Sequence, residues 1–143
     1  MSSFLEMFFK FPNVLMILGI LSLTLVELDR RTYKSYNLTD SDNTIEVIES
    51  IIPSTEYTII CHGFAGSKEM MRQLAYDIAN AGSNALLFDF IGHGSNRHRL
   101  INKPAEITGT TQQLVDQLSE IIKFLHRKFG NEISISLVGH SMA

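Results

Sequence analysis

Three short stretches of this sequence have residue types and spacing suited to chemistry, and each follows an apolar run. The last reads Gly139-His140-Ser141-Met142-Ala143, directly after Ile133 to Val138. A serine in a sharp turn between small residues, just past a buried strand, is the nucleophile-elbow pattern. Gly139 is the small residue before it. Ala143 stands where the usual pattern has a second glycine, and a methyl group still permits tight packing. Ser141 is thus the candidate catalytic nucleophile, with Gly139 and His140 as supporting members of its motif. Attack on an acyl carbon also needs preorganised N–H donors for the oxygen that becomes negative. One donor is expected from the residue after the nucleophile, Met142.

The second stretch, His62-Gly63-Phe64-Ala65-Gly66-Ser67, follows the run Tyr57 to Cys61. Gly63 lets the backbone turn so that an N–H faces the site. An ordinary tight turn is the plainer reading of His62-Gly63 alone, and the Ser141 motif favours the functional one. The third stretch is Asp89-Phe90-Ile91-Gly92-His93-Gly94. Asp89 and His93 have a spacing open to a metal, but no third ligand is convincing.

To act together, these stretches must sit at neighbouring strand ends. Thr32 to Leu38 and Thr44 to Ser50 read as a hairpin across the turn-rich residues 39–43, and Tyr57 to Cys61 as a strand buried on both faces. The spacing of Met70, Met71, Leu74, Ala75 and Ile78 predicts a helix capped by Ser67 and ended at Gly82. Ala85 to Phe88 is the next strand. A second helix is expected from Thr110, with Gln113 completing a capping box, along the stripe Leu114, Leu118, Ile121, Ile122, Leu125 and Phe129 to Gly130. Ile133 to Val138 is the last strand. This alternation predicts an α/β fold, a mostly parallel sheet with right-handed crossovers and helices on both faces.

Together, His62 to Ser67, Asp89 to Gly94 and Gly139 to Ala143 resemble the α/β-hydrolase superfamily, from about Arg31 onward. The first and last also resemble bacterial membrane-associated serine hydrolases of unassigned substrate. The resemblance implies an ester or thioester substrate, small or lipid-like, with Ser141 as nucleophile. It assigns the second oxyanion donor to Phe64 and gives Asp89 and its glycines a loop-shaping role. It implies no metal and no organic cofactor. In such enzymes the acid and the base histidine follow the serine, so residues 31–143 are expected to be an incomplete domain and inactive alone. The competing expectation is a truncated, membrane-tethered fragment with no enzymatic role.

Composition limits the alternatives. The net charge is −3 with pI near 5.9, and Arg30-Arg31 and Arg97-His98-Arg99 are too short for a phosphate-tracking surface, so no nucleic-acid partner is expected. Cys61 is the only cysteine, which rules out an intrachain disulfide; its apolar run marks it as a buried hydrophobe. Residues 1–30 read as a separate hydrophobic segment. Met7 to Val26 carries one charge, Lys10, and twenty helical residues reach about 30 Å, the hydrocarbon thickness of a bilayer. An uncleaved membrane anchor fits better than a cleaved signal, since no Ala-x-Ala-like site follows. The basic residues flanking it are too few to fix the side of the membrane.

Overall fold

The computed structural model describes residues 16–24, 33–40, 43–100 and 107–141, and the chain divides into two compact units, Met1–Tyr33 and Lys34–Ala143. In the first unit residues 16–24 are helical (α1), and Met16, Ile17, Leu18, Ile20, Leu21 and Leu23 are exposed. Among the described residues no helix is long and apolar enough to cross a membrane. The rest of the expected anchor, Met7 to Val26, lies outside the described residues.

The second unit is built on five strands: β1 (Ser35–Asp40), β2 (Asn43–Ile48), β3 (Glu56–Cys61), β4 (Asn84–Leu87) and β5 (Ser134–Gly139), in the spatial order β1-β2-β4-β3-β5. The hairpin β1–β2 and the pair β2–β4 are antiparallel, whereas β4–β3 and β3–β5 are parallel. The sheet is therefore mixed, with a parallel centre. Two crossovers carry helices, α2 (Arg72–Asn80) between β3 and β4, and α3 (Ile107–Phe129) between β4 and β5.

Strand alternation sorts the core into two faces. Ile45 and Val47 of β2, Tyr57, Ile59 and Cys61 of β3, and Leu86 with Phe88 pack with Ile121 and Leu125 of α3. Leu114, Leu118, Ile122 and Phe129 of the expected stripe join that cluster, and Phe129 stacks on Tyr57 with ring centres 4.9 Å apart. On the opposite face α2 presents buried Ala75 and Ala79, small enough to let the helix approach β4 and β2 closely. Arg72 of α2 grips the carboxylate of Glu46 on β2 with both terminal nitrogens and donates from Nε to Glu69 at 2.8 Å. An isolated exposed pair is worth little; this one is partly buried and bidentate, and it ties the helix to a strand.

Two expected helix starts are corrected. Ser67 makes no side-chain cap hydrogen bond, and a single 3-10 turn, Lys68–Met71, precedes α2. The orphan N–H of Lys68 is satisfied from across the sheet by Asp89 Oδ1 at 2.7 Å, which removes the need for a serine cap. Met70, expected on the apolar stripe, is exposed because it sits in that 3-10 turn. Thr110 is no cap either: α3 already begins at Ile107, three residues earlier. Gly82 and Gly130 follow their helices at φ of 100° and 89°, the left-handed region glycine favours.

Leu125 is fully buried at the centre of the α3 face. Its replacement by alanine should destabilise the folded protein by about 2–5 kcal/mol, read as a lower urea midpoint with an unchanged slope.

Candidate functional site

The register of β3 against β5 puts Cys61 opposite Gly139, and the ladder runs one step further, with His140 N–H donating to Cys61 O at 3.1 Å. The residues beyond, His62-Gly63 and His140-Ser141, therefore meet at the same sheet edge. A Cβ on Gly63 would lie 2.8 Å from His140 O and 2.8 Å from Ser141 Cβ. Glycine is required there by contact.

Ser141 has φ of 64°. A non-glycine residue adopts this region at a cost of order 1–3 kcal/mol and keeps it only where its surroundings enforce it. Ala65, at φ 55°, is the other such residue among those described, and it lies in the facing loop. His140 and Ser141 are exposed at the strand end. Met142 lies outside the described residues.

The loop after β3 is held by its first carbonyl. Gly63 O accepts from Gly66 N–H at 3.0 Å and shares a 2.9 Å hydrogen bond with His62 Nδ1. His62 itself is buried, and its Nε2 accepts from Phe90 N–H at 3.1 Å. No described group accepts from Phe64 N–H. The Phe64 ring is exposed and stands edge-on to His93, with centres 6.2 Å apart.

Asp89, at the end of β4, fastens two loops. Its carboxylate accepts from Lys68 N–H at 2.7 Å and from Ser95 N–H and Oγ–H, each at 2.8 Å; its carbonyl accepts from Asn96 Nδ2 at 3.0 Å and Gln117 Nε2 at 3.2 Å. Burial pushes its pKa up, but the Lys68 and Ser95 donors outweigh that and hold it below the ordinary 3.8. A Cβ on Gly94 would collide with this carboxylate, and Gly94 has φ of 50°. Asp89 thus shapes loops, its carboxylate engaged by Lys68 and Ser95.

Gln117 was not singled out from sequence. It lies buried on the core face of α3, accepts from Ile91 N–H at 2.9 Å and donates to Asn43 Oδ1 at 2.8 Å, so it anchors the β4 loop from below. Its signal was available: position 117 falls four before Ile121 on the apolar stripe, where a polar residue must find partners. Burial pushes the Cys61 thiol up to about 11, which keeps it protonated and excludes it as a nucleophile at neutral pH. Arg97 and His98 border a cavity of about 430 Å3 with Thr39 and Thr44 of the hairpin. That cavity lies between the β1–β2 hairpin and the loop after β4, with Asp89, Ser95 and Asn96 also in its lining. Ser141 lies at the end of β5, two strands beyond β4 on the side away from the hairpin.

A family model described as serine aminopeptidase, S33, matches residues 53–142, which include the first two motifs in chain order and the third as far as Met142. The fold is similar to that of TT1662 from Thermus thermophilus, at 21% identity and a TM-score of 0.62, over 76% of this chain and 47% of that one. It is also similar to an esterase of Pyrococcus furiosus (23%, TM-score 0.60, 77% of this chain and 40% of that one). A third likeness is to a soluble variant of monoglyceride lipase from Saccharomyces cerevisiae (15%, TM-score 0.54, 78% of this chain and 36% of that one). At these identities the likeness is one of fold, and the chain spans less than half the length of each. No curated protein matches the sequence.

The depressed Asp89 pKa fixes the sign of a pH effect. Its contribution is fully present above the unfolded value near 3.8 and is lost as the pH falls through the lower folded value. Wild type should exceed Asp89→Asn in urea midpoint from pH 7 down to about 4, and the gap should close only under more acidic conditions. A gap that closes between pH 7 and 5 would contradict this.

Proposed function

Because the chain belongs to the serine aminopeptidase S33 family of α/β-hydrolases, we propose that Ser141 is the nucleophile of a serine hydrolase that cleaves an ester or thioester. The observation that carries this reading is the placement of Ser141 at φ 64°, in contact distance of Gly63 and beside a loop whose Phe64 N–H has no described acceptor. Ser141 Oγ would attack the acyl carbon while a base takes its proton. The carbonyl π electrons move onto oxygen, where the N–H groups of Phe64 and Met142 receive the charge. Collapse of that intermediate expels the protonated leaving group, and water then hydrolyses the acyl-serine by the same route.

The base is not His62, whose two ring nitrogens are already engaged with Gly63 O and Phe90 N–H. We assign it to a histidine that these 143 residues do not include, in keeping with the greater length of the structures the fold resembles. Phe64 and Met70, both largely exposed, offer apolar surface on the loop and turn that follow β3, which suits an acyl chain. The apolar segment Met7 to Val26 would hold the enzyme at a membrane and bring it to lipid-derived esters. Its composition and the exposed apolar side chains of residues 16–24 support this.

A fluorophosphonate probe should label the full-length protein and leave the Ser141→Ala variant unlabelled; equal labelling of both would remove Ser141 as nucleophile. The membrane assignment has its own measurement. After alkaline carbonate extraction the full-length protein should stay with the membrane pellet, and a variant lacking residues 1–30 should be released. Release of both would refute it.

A further inference from the structure

We propose that His62 is a positioning residue for the Ser141 site, holding the Gly63–Phe64 peptide so that Phe64 N–H is aimed at the substrate oxygen. The inference rests on the hydrolase reading above. Its starting point is the protonation of one buried ring. Phe90 N–H donates to Nε2 at 3.1 Å, so Nε2 carries a lone pair, and Nδ1 carries the hydrogen that is donated to Gly63 O at 2.9 Å. Asp89 Oδ1 lies 3.9 Å from Nε2, too far for a hydrogen bond.

The carbonyl of Gly63 and the N–H of Phe64 belong to one peptide plane. In a trans peptide they point in opposite directions, and the described chain has no cis bond. Pinning the carbonyl on His62 therefore turns Phe64 N–H to the opposite side, while the Gly63 Cα end of the same plane sits against Ser141. The Gly66 N–H bond alone would leave this orientation weakly held. It closes a four-residue turn in which Ala65 is at φ 55°, a conformation alanine disfavours. The second donor on the same oxygen opposes relaxation of that turn.

His62 also carries the position of the β4 loop into the site. Phe90, whose N–H holds Nε2, packs its ring edge-on against His62 with centres 5.2 Å apart. The neighbouring Asp89 and Ile91 are both bonded to Gln117. A displacement of the β4 loop would thus rotate the His62 ring and with it the Gly63 carbonyl. No substrate contact by His62 is involved.

The two hydrogen bonds of His62 can be separated in the full-length protein. His62→Asn keeps an amide N–H near the Nδ1 position and loses the partner of Phe90. His62→Gln keeps an acceptor near Nε2 and loses the donor to Gly63 O. Steady-state hydrolysis of a p-nitrophenyl ester, fluorophosphonate labelling and a thermal midpoint would be measured for each. The proposal expects His62→Asn to retain kcat within about tenfold of wild type. It expects His62→Gln to lose on the order of 10²–10³ in kcat, the cost of a lost oxyanion donor, with KM little changed and the protein folded. The reverse order, or rates that fall only in proportion to lost folded protein, would give His62 a purely structural role and overturn the proposal. Wild-type protein that neither reacts with the probe nor hydrolyses the ester would overturn the hydrolase reading, and this inference with it.

Discussion

A Cβ on Gly63 would stand 2.8 Å from both the His140 carbonyl and Ser141 Cβ, closer than side-chain carbons approach their neighbours, so the ends of β3 and β5 meet with only hydrogen between them. Much of the second unit serves to make and keep that contact. β3 and β5 must be parallel neighbours in one register, which needs a crossover on each side of β4 and helices to cover both faces. Small residues recur where elements approach closely: Gly63 at the site, Gly94 against Asp89, and Ala75 with Ala79 where α2 lies on the sheet.

Contact alone does not aim an N–H. That task falls to a polar network just behind the site, in which Gln117, Asp89 and His62 join α3, the β4 loop and the loop after β3. Each of the three is buried and each is fully engaged, as buried polar groups must be, since orphaning one costs about 1–3 kcal/mol. Such a network has little slack. The left-handed backbone of Ala65 lies in the turn that His62 helps to hold through Gly63 O.

The succession of strands and helices along the chain and the three motifs were legible because they rest on short-range rules: apolar runs, turn glycines and a serine after a buried strand. The stripe from Leu114 to Phe129 announced α3, and most of its members lie in the core. What sequence reading mistook depended on partners far along the chain. Ser67 had every local credential of a helix cap, but Asp89, twenty-two residues on, takes the N–H it would have served. Thr110 and Gln113 had capping-box spacing, and the helix starts earlier at Ile107. Gln117 showed in the sequence only as a polar residue on an apolar stripe; its partners, like those of Arg72 and Glu46, lie far along the chain.

The central claim is that Ser141 and Phe64 N–H act on one reacting group. The most direct test is a crystal structure of the full-length protein after reaction with a fluorophosphonate. The account predicts phosphorus bonded to Ser141 Oγ and the phosphoryl oxygen about 2.7–3.1 Å from Phe64 N, with the Gly63 carbonyl still on His62 Nδ1. Phosphorus on another residue, or a phosphoryl oxygen turned away from Phe64 N–H, would contradict it.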